Sequence, residues 1–197
     1  VHDGWHLRST TILPMETKAV VVRVEVENGA DRPRDCTLGW SFEGGITQAN
    51  RNWESAVPPR ELDNRIAPAG FPGGFVFQAV HSDAAVVQGV HPAPDHVENG
   101  RVTFNATFTP RQRRIYDLIW SVDEDTQRAR QAYEGLRARI DTLFAEAHRS
   151  WQDELVALFT AVTGEEHSDW AEYRRAMVDD GRLVVRFTPT SVTGQIH

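Results

Sequence analysis

Two short groups of histidine and aspartate residues have a spacing that could support metal binding or acid–base chemistry. His2, Asp3 and His6 lie close together at the N-terminus, and His167 and Asp169 lie two positions apart near the other end. A metal site needs further ligands that converge on the same ion, and the rest of the sequence does not supply them. The first group therefore fits a loop better, and the second fits the start of a short helix. We predict no metal and no cofactor.

The single cysteine, Cys36, is a weak candidate for a nucleophile. It begins a predicted strand, and no paired histidine is in view. A lone cysteine also excludes an intrachain disulfide and a cysteine-based zinc site. The sequence contains no nucleophile-elbow, phosphate-loop or HExxH motif. These motif classes therefore supply no candidate nucleophile.

Aromatic side chains are the stronger signal, because the chain contains six tryptophans. Sugar rings stack on exposed indoles, and Trp53 lies in a long proline-rich stretch, residues 50–74, of a kind that is often functional. Trp53 is therefore the candidate carbohydrate contact. Trp40 and Trp120 lie in predicted strands, and we assign both to the core, since buried aromatic rings dominate packing.

The bulk composition limits the class of protein. The chain has 197 residues, 40% hydrophobic and 25% charged, which suits one or two globular domains. A formal net charge of −7 argues against nucleic acid and against an anionic membrane surface, because phosphate groups require a basic footprint. No apolar run approaches the ~20 residues of a membrane-spanning helix. We predict no nucleic-acid and no membrane partner.

The first ~120 residues have the alternation and the turn spacing of an antiparallel β-sandwich. In Ala19–Asn28 the even-numbered valines share one face, whereas Val21, Arg23 and two glutamates share the other, which we expect to be wet. After a turn, a second strand returns. The predicted strands after Asn28 are 36–45, 74–82, 84–92, 100–110 and 113–122.

At Ser121 the hydrophobic period changes to three or four residues, which indicates a helix. Ser121 and Glu124 fit a capping box, in which the serine is the N-cap. We predict helix from about Asp123 to Thr163, with a break near Gly135. Its apolar stripe consists of Ala129, Tyr133, Leu136, Ile140, Leu143, Ala147, Trp151, Leu155 and Leu158.

The length of this helical segment implies a second body. Unbroken, some forty residues would span ~60 Å, which exceeds the width of a small sandwich. Part of the stripe is therefore expected to pack on another domain. A further helix is predicted between Ser168, as its cap, and Gly181.

Four segments follow an order that a known family shares. Thr10–Gly45 contains a valine-rich strand, an Asn-containing turn and a returning strand with Trp and Gly; Phe108–Val122 and Ala138–Phe159 follow. They resemble the N-terminal β-sandwich, its closing strands and the linker helix of bacterial glycosidases in glycoside hydrolase family 63. Val184–Gly194 is similar to the segment before the catalytic part of the (α/α)6 barrel, and is the most specific match.

The resemblance implies a fold and a domain division. The fold would be a mainly β, supersandwich-like sandwich followed by a long α-helical linker, α+β overall. The domains would be 1–121 for the β-sandwich, 122–164 for the linker helices and 165–197 for the start of the barrel.

The resemblance also implies inverting hydrolysis of α-glycosidic bonds in oligosaccharides, of the α-glucosidase type. Such enzymes use a carboxylic acid and a carboxylate ~6.5–9.5 Å apart. No position here matches either group, so the chain would be a non-catalytic part whose partners are the rest of the barrel and, through the complete enzyme, an oligosaccharide. Gln195 and His197 would lie nearest the site and join Trp53 as substrate-adjacent candidates.

Two other functions remain open. Trp53 and its proline-rich stretch also suit a stand-alone carbohydrate-binding sandwich, which predicts sugar binding that is lost on Trp53→Ala. The helical stripe also suits an interaction domain that meets a partner protein, which predicts an oligomer that buries Trp151.

Overall fold

The computed structural model describes residues 4–14, 17–46 and 64–180. The strands are β1 (Trp5–Ile12), β2 (Ala19–Asn28), β3 (Arg34–Ser41), β4 (Asn64–Pro68), β5 (Gly74–Ala79), β6 (Ala85–His91), β7 (His96–Glu98), β8 (Arg101–Phe108) and β9 (Arg113–Asp123). The helices are α1 (Thr126–Ala138), α2 (Ile140–Thr163) and α3 (Trp170–Asp179). None of these helices combines the length and hydropathy of a membrane span.

The strands form two antiparallel sheets that share one core. The large sheet has the order β1-β2-β9-β6-β5-β4, and the small sheet has the order β3-β8-β7. Aromatic rings join them: the ring of Tyr116 on β9 has its centroid 4.9 Å from Phe104 on β8 and 5.3 Å from Trp40 on β3. The buried core residues are Val26, Phe42, Phe75, Phe77, Val90, Val102, Phe104, Phe108, Tyr116 and Leu118. A sandwich-like α+β fold is confirmed, while the supersandwich subtype stays a prediction.

Alternation located most strands but missed three. β2 has its predicted bounds, whereas β1, β4 and β7 were not predicted. His6, whose group we assigned to a loop, lies in β1, which pairs with β2 from Trp5↔Asn28 to Ile12↔Val21, while His2 and Asp3 lie outside the described residues. The loop assignment is wrong because β1 is an edge strand whose residues 6–11 are exposed on both faces, so it has no apolar alternation.

The connection after β2 crosses to the other sheet instead of forming a hairpin. β3 pairs with β8, not with β2. The buried amide of Asn28 holds this crossing, because its Nδ2 donates to the carbonyl oxygens of Arg32, Phe108 and Thr109 at 2.8, 3.2 and 3.2 Å. Its Oδ1 accepts from the backbone N–H of Ala30 at 3.1 Å.

The face of β2 that we expected to be wet is covered in its middle. Val21 is fully buried, and Arg23 forms an ion pair with buried Asp117. Nε donates to Oδ1 at 2.7 Å and Nη2 donates to Oδ2 at 2.9 Å. Helix α1 packs on this side of the sheet, against β9 and β6, where the Ser121 hydroxyl donates to the Ala129 carbonyl oxygen at 2.7 Å. Alternation separates the two faces of a strand, but it does not show what covers them.

Two glycines on adjacent strands make room for helix α1. Gly74 of β5 and Gly89 of β6 are register partners. A Cβ atom at Gly74 would lie 2.0 Å from the ring of Phe71, and one at Gly89 would lie 2.4 Å from the hydroxyl of Tyr133. The rings of Phe71 and Tyr133 stack on each other at 4.6 Å between centroids. The glycine pair therefore sets how closely α1 approaches the sheet.

Tyr133 gives the fold a pH dependence at the alkaline end. Burial raises the pKa of its phenol from 10.0 to about 12, and the nearby Arg137 guanidinium opposes this only in part. Below pH 10.0 the phenol is protonated in folded and unfolded chains alike, so its contribution to stability is fully present. As the pH rises from 10.0 towards 12, the unfolded chain loses the proton first, and we expect stability to fall.

The measurement is tyrosinate absorbance during an alkaline titration of the chain and of the variant Tyr133→Phe. Burial also raises the pKa of Tyr116, so only the difference between the two titrations reports Tyr133. We expect the absorbance difference to titrate at about pH 12, above the value of 10.0 for free tyrosine. A difference centred near pH 10 would contradict a buried phenol.

Helix α1 begins later than predicted, and the break lies elsewhere. Asp125 is the N-cap, since its Oδ1 accepts from the backbone N–H of Arg128 at 2.9 Å, whereas Ser121 is a strand residue. The capping-box prediction is wrong because the pairing of β9 with β6 extends beyond Ser121. The helix is interrupted at Arg139, while Gly135 lies within α1. Helices over this region are confirmed, but their role as a linker stays a prediction.

The chain divides into two compact units, Val1–Ile140 and Asp141–His197. The predicted three-domain division stays a prediction. In the second unit, Tyr173 Oη donates to the Leu155 carbonyl oxygen at 3.3 Å. The rings of Phe159, His167, Trp170 and Tyr173 form a cluster with centroids 5.1 to 5.8 Å apart. These contacts join α2 to α3.

Burial along the predicted apolar stripe is uneven. The buried stripe residues are Ala129, Tyr133, Leu136, Ile140, Leu143 and Leu155. Towards the end of α2, however, Leu158 is 52% exposed, and Val162 one turn later is 76% exposed. The C-terminal end of α2 therefore presents apolar side chains to solvent.

Candidate functional site

The three substrate-adjacent candidates, Trp53, Gln195 and His197, lie outside the described residues and stay predictions. The assignment of Trp40 and Trp120 to the core is confirmed, because both are partly buried and pack against it.

The His167–Asp169 pair forms a helix start, as the simpler interpretation predicted. Asp169 caps α3: its Oδ1 accepts from the backbone N–H groups of Ala171 and Glu172, both at 2.9 Å. The bond from Glu172 contributes most to holding the pKa of Asp169 below its usual value. The cap is therefore Asp169 and not Ser168, since the aspartate carboxylate reaches two free N–H groups. Within the described ranges, no group of three or more His, Cys, Asp and Glu residues could hold a metal ion.

Asp117 is the carboxylate that the described part of the chain buries. Both of its oxygens accept from the Arg23 guanidinium, so it belongs to a structural ion pair inside the sandwich. A glycosidase acid must instead face a substrate and have a proton to give. Asp117 therefore does not offer that chemistry.

The large sheet is wider than the small one, and its two edge strands are left uncovered on the core side. Register partners share a face. Leu7 of β1 is 61% exposed although its partner Val26 is buried, and Ile66 of β4 is 57% exposed although its partner Phe77 is fully buried. At the β4 edge, this uncovered face becomes one wall of a cleft.

The cleft has a volume of about 750 Å³. Its lining residues are Ser41, Phe42, Glu43, Gly44, Asn64, Ile66, Phe77, Glu98, Asn99, Gly100 and Arg101. Ile66 and Phe77 give it an apolar side, while the hydroxyl, carboxylate and guanidinium groups lie at exposed positions. The arrangement suits a ligand that has both apolar and polar surfaces.

A tight turn positions the polar rim of the cleft, which consists of Ser41, Glu43, Glu98 and Arg101. Asn99 and Gly100 both have positive φ, 44° and 79°, as in the two-residue type I′ hairpin turn. The turn makes Glu98 the register partner of Arg101, whose other partner is Ser41. The three side chains therefore form a row across the end of the small sheet.

Hydrogen bonds fix the walls of the cleft. The backbone N–H of Phe42 donates to the Gly100 carbonyl oxygen at 2.7 Å, and a Cβ at Gly100 would lie only 2.9 Å from the Phe42 oxygen. On the other wall, the Asn64 amide donates to the Ile46 carbonyl oxygen and accepts from the Ile46 N–H, at 3.2 and 3.3 Å. These contacts fix the walls through backbone groups and the Asn64 amide, and they do not use the side chains of Glu43 or Arg101.

The side chain of Gln88 connects the rim to the core. Its Nε2 donates to the Glu43 carbonyl oxygen at 2.8 Å, and its Oε1 accepts from Trp120 Nε1 at 2.9 Å. Gln88 itself is buried. The backbone at Glu43 is therefore anchored while its carboxylate stays exposed.

A smaller concavity of about 360 Å³ lies on the other side of the small sheet's end. Its polar groups are already occupied. Asp95 Oδ2 accepts from the Asn105 N–H at 2.6 Å, and Arg114 donates to the Thr107 carbonyl oxygen at 3.1 Å. By contrast, within the described ranges no side-chain hydrogen bond or ion pair occupies Glu43 or Arg101. The larger cleft is the better candidate site.

No protein-family model matches the sequence. No curated protein matches it either. Among solved structures, one match is a protein described as a kojibiose phosphorylase from the human microbiome, with 11% identity and a TM-score of 0.37. The match covers 89% of this chain and 23% of that chain, so the present chain spans less than a quarter of that protein. Membership of glycoside hydrolase family 63 stays a prediction.

Sequence reasoning missed the cleft residues Glu43, Glu98 and Arg101. A signal for two of them was present, because Asn-Gly between strands is the strongest short hairpin signal, and it would have placed Glu98 opposite Arg101. No local signal marks Glu43, whose position depends on how the two sheets overlap.

Proposed function

We propose that this chain is the non-catalytic β-sandwich and helical part of an inverting α-glycosidase of the α-glucosidase type. The order of its elements supports this, since the strands β1 to β9 of the described sandwich are followed directly by α1, α2 and α3. The sandwich would buttress the catalytic domain and form part of the wall beside its substrate.

The observation that carries the proposal is the exposed apolar end of α2. Leu158 and Val162 are four residues apart and therefore share one face of the helix. At 52% and 76% exposure, they would leave apolar surface in water unless another body covers them. A neighbouring helical domain is the cover that the sequence resemblance implies.

The state of the acidic residues agrees with a non-catalytic role. Inverting hydrolysis needs a carboxylic acid on one side of the scissile bond and a carboxylate that activates water on the other. Of the residues that the structure describes, the buried carboxylate, Asp117, is committed to Arg23. Glu43 and Glu98, in the cleft, are both exposed to solvent, whereas a glycosidase acid lies in an enclosed site.

The test compares this chain with the product of the complete gene. We expect no turnover of maltotriose or of p-nitrophenyl α-glucoside by the chain alone, with or without inorganic phosphate. The complete product is expected to release β-glucose first, which NMR detects as the inverted anomer. Turnover by the chain alone, or a complete product inert on every α-glycoside, would refute the proposal. The complete product is also assayed with inorganic phosphate, where release of glucose 1-phosphate instead of glucose would indicate phosphorolysis.

A further inference from the structure

The cleft beside β4 places polar groups around an apolar wall, and the proposed function gives it no task. Glu98 Oε2 lies 3.7 Å from His96 Nε2, whereas within the described ranges no side-chain hydrogen bond or ion pair occupies Glu43 or Arg101. We propose that it binds a neutral oligosaccharide. The binding groups are the carboxylates of Glu43 and Glu98 and the guanidinium of Arg101, with Ile66 as the apolar contact.

The size and surface of the cleft fit this class of ligand. Small-molecule sites measure ~300–1,000 Å³, and this cleft measures about 750 Å³. A sugar ring has an apolar face of C–H groups and a perimeter of hydroxyl groups. Ile66, 57% exposed, offers the apolar contact, while the row formed by Ser41, Arg101 and Glu98 offers polar partners.

The charges of the rim disfavour other classes of ligand. Two carboxylates repel phosphate, sulfate and nucleotides. One guanidinium among two acids disfavours a metal cation, and the described residues contain no cluster of three acidic or histidine ligands. Carboxylates accept hydrogen bonds from hydroxyl groups and the guanidinium donates to hydroxyl oxygens, so a neutral polyhydroxylated ligand matches both kinds of group.

The exposure of the rim sets the strength of binding. Polar groups that stay in contact with water contribute little each. Only Ile66 supplies a large apolar contact that is free, since Phe42 and Phe77 are buried in the core. We therefore expect a dissociation constant in the millimolar range, such as that of a single carbohydrate contact site.

The experiment titrates the chain with maltotriose and, separately, with cellotriose, and follows two-dimensional proton–nitrogen NMR spectra. The choice of maltotriose rests on the proposed function, whereas the claim of oligosaccharide binding does not. We expect saturable shifts of the backbone amides of Glu43, Gly44, Gly100 and Arg101 with at least one of the two sugars. Calcium ions and inorganic phosphate are titrated in parallel and are expected to leave these amides unshifted.

Matched variants separate binding from general charge effects. Glu43→Gln and Arg101→Met should each weaken binding about fivefold or more, because each removes a charged hydrogen-bonding group. Glu124→Gln and Arg128→Met make the same chemical changes at exposed positions on the α1 side and should bind like the parent chain. Dispersed spectra of all four variants show that they are folded.

The proposal is overturned if neither sugar shifts these amides, if the cleft variants bind as tightly as the controls, or if calcium or phosphate is the ligand that saturates the cleft. The assay does not read hydrolysis. A complete enzyme without activity would therefore contradict the proposed function but not the binding of sugar in the cleft. An active enzyme whose cleft amides show no shifts would contradict sugar binding in the cleft but not the proposed function.

Discussion

Replacing Asp117 with alanine is expected to lower the free energy of unfolding of the sandwich by about 3–5 kcal/mol. The side chain of Asp117 is 5% exposed and that of Arg23 is 14% exposed, so both charges are largely removed from water. Two hydrogen bonds, at 2.7 and 2.9 Å, compensate this loss of hydration. Without the carboxylate, the guanidinium stays largely inside the protein and loses both hydrogen bonds to Asp117. Urea unfolding followed by tryptophan fluorescence measures the change.

A second ion pair between the same two strands is the matched control. Arg113 on β9 donates to Glu25 on β2 at 2.9 Å, but the arginine side chain is 58% exposed. Exposed pairs contribute only about 0–1 kcal/mol, so Glu25→Ala should change little. The double variant Arg23→Met/Asp117→Leu should recover most of the lost stability, because an apolar pair needs no neutralisation. If Asp117→Ala and Glu25→Ala lowered the free energy of unfolding equally, the buried pair would contribute no more to stability than the more exposed one.

The strands could be predicted from sequence where one face is apolar. β2 was predicted to the residue because four valines alternate along it, and three of them, Val22, Val24 and Val26, pack in the core. β1 was not predicted because it lies at the edge of the sheet. Both of its faces are exposed to solvent, so its sequence shows no alternation of apolar and polar residues. Alternation therefore predicts a strand only where one of its two faces is buried, as in β2.

The helix start shows how a distant contact overrides a local signal. Ser121 and Glu124 satisfy the capping-box pattern, yet β9 stays paired with β6 as far as Ala85↔Asp123. Extended backbone at these positions is incompatible with a helix that starts after Ser121. The next suitable residue, Asp125, becomes the cap. The pairing partner is thirty-eight residues away in sequence and could not be seen from the local pattern.

The cleft was beyond sequence reasoning for a geometric reason. In the part of the chain that the structure describes, a three-stranded sheet covers a six-stranded one, which leaves Ile66 exposed beside buried Phe77. The number of strands in each sheet depends on pairings such as β3 with β8, which join residues far apart in the chain. Composition and spacing identified carbohydrate as a ligand class only through aromatic residues. They did not identify the carboxylates and the guanidinium at the rim.

Replacing Phe77 with alanine is expected to destabilise the sandwich by about 3–5 kcal/mol, because the ring is fully buried and its loss leaves a cavity. Phe77 packs in the cluster that joins the two sheets, with Phe75 at 6.4 Å between ring centroids. Gly44 lies so close that a Cβ there would be 2.6 Å from the Phe77 ring. The surroundings are therefore tightly packed and the cavity cannot simply close. The measurement is again urea unfolding, with Trp40 and Trp120 as the core fluorophores.

Ile66→Ala is the matched control, because Ile66 is the register partner of Phe77 and lies on the same face. At 57% exposure its truncation should change stability by no more than about 0.5 kcal/mol. The contrast between two adjacent apolar residues tests directly where the small sheet stops covering the large one. If Ile66→Ala cost as much as Phe77→Ala, the small sheet would extend over β4. The cleft and the ligand assigned to it would then have no space on this side of the sandwich.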